Sequence, residues 1–433
     1  MKTEFTMNQS FVIKGDICWS GSRTELRTAK NAYLVCENGK SAGVYYELPE
    51  KYSGLPLADY TDMLVIPGMA DLHIHASQYA YRGLGMDLEL LDWLQTYAFP
   101  EETRFADPEY AGMAYGIFAD NMRRSATTRA AVFATAHTDA TLILMDRMEQ
   151  TGLVSLVGRV NMDRDAPDSL REPDAETSAR ETVRWIEASA GRYERTSPII
   201  TPRFLPSCTD GLLGRLGEIS RRYGLPVQSH LSENPEEIKL VHRLFPDIRF
   251  YGEGYDRFGL FGGENRTIMA HCIYSSPAEI DLMKKNGVYA VHCPASNMNV
   301  ASGIAPIRKY LTAGLNTGLG SDVAGGESES MFGTVSYTVQ MSKLYWRLVD
   351  PDCAPLTFAE AFYLATAGGG SFLGKAGSFD EGYEFDAVVL DDRELCRGRD
   401  LGIAGRAERD VYLRADAKYI VGKYARGRKI SLD

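Results

Sequence analysis

No CxxC pair occurs in the chain, and its seven cysteines (Cys18, Cys36, Cys208, Cys272, Cys293, Cys353 and Cys396) are scattered. That spacing suggests neither a disulfide framework nor a cysteine zinc site, and the cysteines read as reduced thiols. No apolar run reaches the length of a membrane span. The start, MKTEFTMNQS, lacks the basic and apolar regions of a secretory leader, which makes a cytoplasmic location the expectation. Positive charge is in deficit as well: Lys and Arg number 47 against 58 Asp and Glu, for a formal net charge of -11. Nucleic-acid phosphates need clustered cations, so this balance argues against such a partner. The one basic stretch, residues 418–429, alternates with apolar residues and reads as the solvent face of a strand. Histidine is scarce, at seven among 433 residues.

What is present is an ordinary globular composition, long enough for one large domain and a smaller one. Both ends read as short strands parted by turns. Near the start these are residues 31–37 (NAYLVCE) and 42–48 (AGVYYEL); near the end they are 384–390 (EFDAVVL), 410–414 (DVYLR) and 418–424 (KYIVGKY). The expectation is one small β-sandwich assembled from residues 1–66 and 376–433, with a catalytic domain at 67–375 inserted between them. In the middle, eight apolar runs alternate with helical stretches: residues 64–75, 128–135, 155–162, 199–204, 226–231, 267–273, 288–293 and 317–322. Such alternation signals βαβ units, and eight repeats over roughly 310 residues predict an α/β fold of the (β/α)8 TIM-barrel type. A doubly wound open sheet would want a Gly-rich phosphate loop after its first strand, and Pro67-Gly68-Met69-Ala70-Asp71 is not one.

Five of the seven histidines (His73, His75, His230, His271 and His292) fall at the C-terminal ends of these runs. In a barrel the loops leaving that end converge on one cavity. His73 and His75, two apart on a strand, send both imidazoles to the same side. Alone, such a pair is more often an ordinary polar cluster than a metal site. His230 (PVQSHLSEN) reads as a strand end followed by Glu233, which suits the first turn of a helix as well as a catalytic role. His271 closes IMAHCIY, and Asp322 lies at the mouth of the last run in TGLGSDVAGG. Jointly, neutral imidazoles, one carboxylate and an open position for water are the donor set of catalytic zinc, with iron as the weaker alternative. His137, after the second run, and His242, on a helix, read as structural, and His292 as a hydrogen-bonding neighbour of the site.

The run Pro67-Gly-Met-Ala-Asp-Leu-His73-Ile-His75, followed by His230, His271 and Asp322, resembles the amidohydrolase superfamily. Longer blocks narrow the resemblance to its guanine deaminase branch: residues 75–105 (HASQYAYRGLGMDLELLDWLQTYAFPEETRF), 200–208 (ITPRFLPSC), 228–234 (QSHLSEN), 292–303 (HCPASNMNVASG) and 318–326 (GLGSDVAGG). The resemblance implies one zinc ion per subunit, held by His73, His75, His230 and Asp322. It also implies purine contacts from Gln78, Arg203, Phe204, Glu233 and His271, with Glu233, Asp322 and His271 catalytic. Binuclear relatives carry a carboxylated lysine on a central strand, and residues 197–210 contain no lysine, which favours a single metal. The implied activity is hydrolysis of guanine to xanthine and ammonia in purine catabolism, by a homodimer. The alternative is a related deaminase acting on a pterin, triazine or oxidised purine. Phe204 and Trp93 are candidates to stack on the base, although core packing suits Trp93 better. Two departures from the branch's pattern are SATTRA (residues 125–130), where relatives carry Gly-Thr-Thr-Thr, and Ala295, where they often carry Asn. Ala126 and Arg129 put a local turn in question, and Ala295 the pocket rim.

Overall fold

The computed structural model describes residues 10–395 and 400–432, so the chain start read for a leader and Cys396 lie outside the described residues. In chain order the strands are β1 (Phe11–Ser20), β2 (Leu26–Glu37), β3 (Lys40–Tyr45), β4 (Leu57–Pro67), β5 (Met69–His75), β6 (Thr127–Phe133), β7 (Val154–Gly158), β8 (Val160–Asn161) and β9 (Thr196–Pro198). They continue as β10 (Thr201–Pro202), β11 (Val227–Leu231), β12 (Thr267–His271), β13 (Tyr289–His292), β14 (Asn316–Leu319), β15 (Ala387–Leu390), β16 (Ile420–Ala425) and β17 (Arg428–Lys429).

The two chain ends meet in one mixed sheet of seven strands, in the order β17-β16-β15-β4-β1-β2-β3. The middle of the chain is a TIM-barrel-type α/β array. Parallel strands β5-β6-β7-β9 form one four-stranded sheet and β11-β12-β13-β14 another. An isolated parallel bridge between Ile200 and Val227 links their neighbouring edges. At the other edges, Asp322 N donates to His73 O at 2.8 Å and His75 N to Val323 O at 3.0 Å. Strands β5, β6 and β11 are buried along their whole length, as parallel strands covered on both faces must be. Helices such as Pro108–Arg124, Thr138–Thr151 and Asp210–Tyr223 connect successive strands. No helix among the described residues is long and apolar enough to cross a membrane.

The apolar run at 64–75 divides between two sheets at Gly68. A Cβ there would lie 2.2 Å from Thr128 Oγ1, so only glycine lets the chain pass from the end sheet into the parallel array at this point. The runs at 155–162 and 199–204 are each interrupted (β7/β8 and β9/β10). Pro198 and Pro202 remove two of the amides a continuous ladder would use.

Three expectations are corrected. DVYLR at 410–414 is no strand; it runs from the last turn of helix Gly402–Tyr412 into the turn beyond. Ala407, Asp410 and Val411 are its buried side, at the i, i+3, i+4 spacing of a helix, and that period outweighs the β-favouring Val and Tyr. Residues 418 and 419 end the short helix Asp416–Tyr419 rather than beginning a strand.

The basic stretch is not uniformly a solvent face. Lys423 is fully buried, and its Nζ donates to the carbonyls of Met122, Arg123 and Ser125 at 2.9–3.0 Å, capping the end of helix Pro108–Arg124. Burial pushes its pKa well down. The three carbonyls supply the partners that its N–H groups require.

Arg129, the departure in SATTRA, is also buried and pairs with Asp386 and Glu384, joining β6 to the end sheet. Ala126 O accepts from Met69 N at 3.1 Å, so the turn in question forms the first rung between the β5 and β6 segments.

Candidate active site

At the C-terminal ends of β5, β11, β12 and β14, five side chains converge. His73 Nε2 and His230 Nε2 each lie 3.3 Å from His75 Nε2. Asp322 Oδ1 is 3.2 Å from His73 Nε2 and 3.5 Å from His75 Nε2. Imidazole nitrogens facing one another at such distances cannot all satisfy each other, because each neutral ring has one donor and one acceptor. A tetrahedral ion with bonds of 2.0–2.1 Å would hold its donors about 3.3–3.4 Å apart, close to the 3.2–3.5 Å separations of these four pairs. The donor set therefore fits a metal ion.

Local structure explains the convergence. Period-two geometry on β5 puts Asp71, His73 and His75 on one side. Asp71 then accepts from Ser321 N at 3.0 Å and from Ser321 Oγ at 2.5 Å, fixing the turn that presents Asp322. At Gly320, a Cβ would stand 2.7 Å from His73 Cβ, so glycine is what lets the last strand end come this close. His271 (φ 71°), Ser232 (φ 48°) and Asp322 (φ 51°) take left-handed backbone conformations, a strain concentrated where side chains must be aimed into the cavity.

His230 Nδ1 lies 2.6 Å from Arg203 O. A carbonyl only accepts, so Nδ1 carries the proton and Nε2 offers its lone pair to the centre. Burial, reinforced by the neighbouring imidazoles, pushes the pKa of both His75 and His230 well below the usual value, which keeps them neutral. Burial opposes ionisation of Asp322, but the surrounding His73, His271 and His75 outweigh it and hold this carboxyl far below the carboxylate range. Glu233 behaves in the opposite way: burial first, then the Asp322 charge, raises its pKa well above the usual value. Two carboxyls in one cavity are thus driven apart, one ionised and one protonated, which is the arrangement acid–base chemistry needs.

The cavity beside this centre has about 430 Å3 of empty space, its opening to solvent included, and is lined by His75, Gln78, Arg203, Phe204, His230, Glu233, His271 and Asp322. Trp93, Leu90, Leu94, Ser296 and Gly325 complete it. Every expected site residue is at or beside this cavity, His73 standing behind it as part of the cluster. Trp93 lines it as well while packed in the hydrophobic core, the role expected of it. Ala295 does not line it, although its neighbour Ser296 does. His242 is exposed on helix Pro235–Leu244, and His137 precedes helix Thr138–Thr151, both outside the cluster. His292 is buried behind the site, its pKa lowered to about 3 by burial and then by His271.

Residues 64–421 match the amidohydrolase family. The chain belongs to that family. It is 39% identical over 337 residues to guanine deaminase of Dictyostelium discoideum, an alignment covering 77% of this chain and 74% of that protein. It is 38% identical over 333 residues to guanine deaminase of Homo sapiens, covering 76% and 72%. A crystal structure of guanine deaminase from C. acetobutylicum with guanine bound in its active site superposes with a TM-score of 0.94 at 45% identity, covering 98% of this chain and all of that one.

Sequence reasoning missed several groups that shape the site of this amidohydrolase. Glu102, 1% exposed, accepts from Gln78 Nε2 at 2.8 Å and pairs with Arg203 Nη1. Ser302 Oγ donates to Glu233 Oε1 at 3.2 Å, and Asn297 Oδ1 lies 2.9 Å from His271 Nδ1. Asp71 was detectable, because it shares the period-two face of His73 and His75. Glu102, Asn297 and Ser302 lie inside the distinctive blocks but carry no spacing signal, since their partners come from distant parts of the chain.

Proposed function

We propose that this amidohydrolase is a guanine deaminase, hydrolysing guanine to xanthine and ammonia in purine catabolism with one zinc ion per subunit. The observation that carries this reading is the pairing, in one cavity, of a metal-ready cluster with the planar donors of Arg203 and the amide of Gln78. His73, His75, His230 and Asp322 would hold the ion. When bound, zinc lowers the pKa of water from 15.7 to about 7, supplying a nucleophile of hydroxide strength at neutral pH.

The protein's own groups account for the rest. Asp322, ionised, orients the attacking water and accepts its proton. Glu233, protonated, gives a proton to the ring nitrogen beside the amine-bearing carbon, which makes that carbon electrophilic. His271 hydrogen-bonds at the attacked centre and stabilises the charge developing there. Of the water's two protons, one ends on the ring nitrogen and the other on the departing amine, so ammonia leaves and the ring retains a carbonyl. Phe204 supplies an apolar face against the base. Arg203 and Gln78 recognise the edge carrying the six-position oxygen; adenine presents an amine there, and the resulting mismatch leaves donors unpaired.

The same reading extends to the architecture: a closed eight-stranded barrel over residues 67–375, a small β-sandwich domain from the described residues of 1–66 and 376–433, and a cytoplasmic homodimer. The decisive experiment follows ammonia release and loss of guanine absorbance with and without a chelator, beside a panel of pterins, triazines and oxidised purines. Chelator-sensitive turnover of guanine above the panel is expected. Preference for a panel member would replace guanine as substrate while leaving the metal chemistry in place.

A further inference from the structure

We propose that Glu102 is a positioning residue that sets substrate specificity without touching substrate, by fixing the orientations of Gln78 and Arg203 together. The inference rests on the reading of the cavity as a guanine site. Three observations carry it.

Glu102 is a carboxylate with 1% exposure, placed between two groups that come from far apart in sequence. One of its oxygens accepts from Gln78 Nε2 at 2.8 Å, and the other pairs with Arg203 Nη1 at 2.5 Å. A Gln side chain has two opposite amide orientations of nearly the same shape, and only its hydrogen bonds choose between them. Here both choices agree: Nε2 donates to Glu102, and Oε1 accepts from Ala324 N at 3.3 Å. One N–H and one lone pair of Gln78 remain for a ligand. The opposite orientation would set Oε1 against a carboxylate.

Arg203 is constrained in the same way. Its guanidinium lies over the Phe99 ring, 5.0 Å from the centroid, with Nη1 held by Glu102, so the rest of the planar fork has one direction to face. Glu102 also offsets the Arg203 charge in a site that must already accommodate a cation. Without it, a buried guanidinium would stand uncompensated beside the metal. A donor–acceptor edge preset by a single carboxylate is a specificity device, because it stays in place whether substrate is bound or not.

The test compares Glu102→Gln, Arg203→Ala and the double variant with the parent, using steady-state kinetics on guanine, zinc content and the unfolding midpoint. Glu102→Gln keeps the shape but turns N–H groups toward Arg203. A misplaced recognition edge of this kind is expected to lower kcat/KM about 100-fold, mainly through KM, with zinc content unchanged. The double variant should lose far less than the product of the two single losses, because Glu102 acts through Arg203 and keeps only its hold on Gln78 once Arg203 is gone; this is strong non-additivity. The double variant also removes both charges together, so the further loss it adds to Arg203→Ala, expected to stay below about 10-fold, is readable even if Glu102→Gln alone fails to fold. Multiplicative losses in the double variant would overturn the inference. So would an unchanged KM, or a fall in activity that merely follows zinc loss. A parent that does not turn over guanine would overturn the substrate reading, whereas a guanine-active parent with additive variants would overturn only the role of Glu102.

Discussion

The Asp71 carboxylate grips Ser321 twice, taking its backbone N–H on Oδ1 at 3.0 Å and its hydroxyl on Oδ2 at 2.5 Å. It also accepts from His73 N at 3.2 Å. Three donors on one buried carboxylate lock the strand carrying His73 and His75 to the turn carrying Asp322, so the two halves of the candidate metal cluster share one anchor. Asp71→Asn keeps the shape but offers N–H groups where an oxygen now accepts. Residues that orient metal ligands are typically worth about 10-fold to 100-fold in metal affinity or activity, and a loss of that size is expected. Zinc competition against a chelator of known affinity checks it, with activity restored by excess zinc. Unchanged zinc affinity would reduce the clamp to ordinary packing.

Glu233 should separate metal binding from proton transfer. Glu233→Gln is expected to keep zinc and lose about 100-fold to 10,000-fold in turnover, since the amide fills the space but carries no exchangeable acid proton. The pH profile gives an independent reading. The raised pKa lets Glu233 hold its proton to higher pH than an ordinary carboxyl, so turnover in the parent should fall on the alkaline side as pH rises through that pKa and the proton needed by the ring nitrogen is lost. That limb should vanish in the variant. Near-parent turnover in Glu233→Gln would remove the residue from the mechanism.

Away from the site, Lys423 provides a test of structure alone. Lys423→Met leaves the carbonyls of Met122, Arg123 and Ser125 without their shared donor at a buried helix end. Stranding buried acceptors should lower unfolding stability by about 1–3 kcal/mol, read by denaturant titration, with turnover per folded molecule unchanged. No loss of stability would mean that water or a neighbouring amide replaces the ammonium.

The difference between what was legible and what was not follows from the range of each interaction. His73 and His75 announce themselves through a spacing of two, and the eight apolar runs through alternation with helices; both are local patterns. The tail of helix Gly402–Tyr412 was misread because Asp410 to Arg414 contains β-favouring residues, and the helical period becomes visible only over a longer window. Lys423 was misread because basic side chains at a surface and at a buried helix end look alike in sequence. Glu102 joins residues 24 and 101 positions away, a relationship that exists only after folding.

Why guanine should be taken rather than adenine comes down to Arg203. Its guanidinium is buried, tied to Glu102 and lines the cavity, and in the proposed reading it would donate to a six-position carbonyl but find no acceptor in an amine. Arg203→Ala removes that donor while leaving His73, His75, His230 and Asp322 in place. Losing a charged hydrogen bond should cost about 1.5 to 3 kcal/mol in transition-state binding. A drop in kcat/KM of about 10-fold to 150-fold on guanine follows from that energy. Zinc content should not change. Lysine would be a poor rescue, because a point charge cannot both hold Glu102 and present a planar pair of donors to the base. The variant also leaves Glu102 uncompensated, so the loss should exceed this range wherever that carboxylate stays ionised, and shrink in the double variant with Glu102→Gln. Steady-state kinetics on guanine, beside zinc quantitation of the same sample, makes the measurement. If Arg203→Ala processes guanine as well as the parent does, Arg203 serves only to hold the end of its strand, and recognition of the six-position oxygen must come from elsewhere in the cavity.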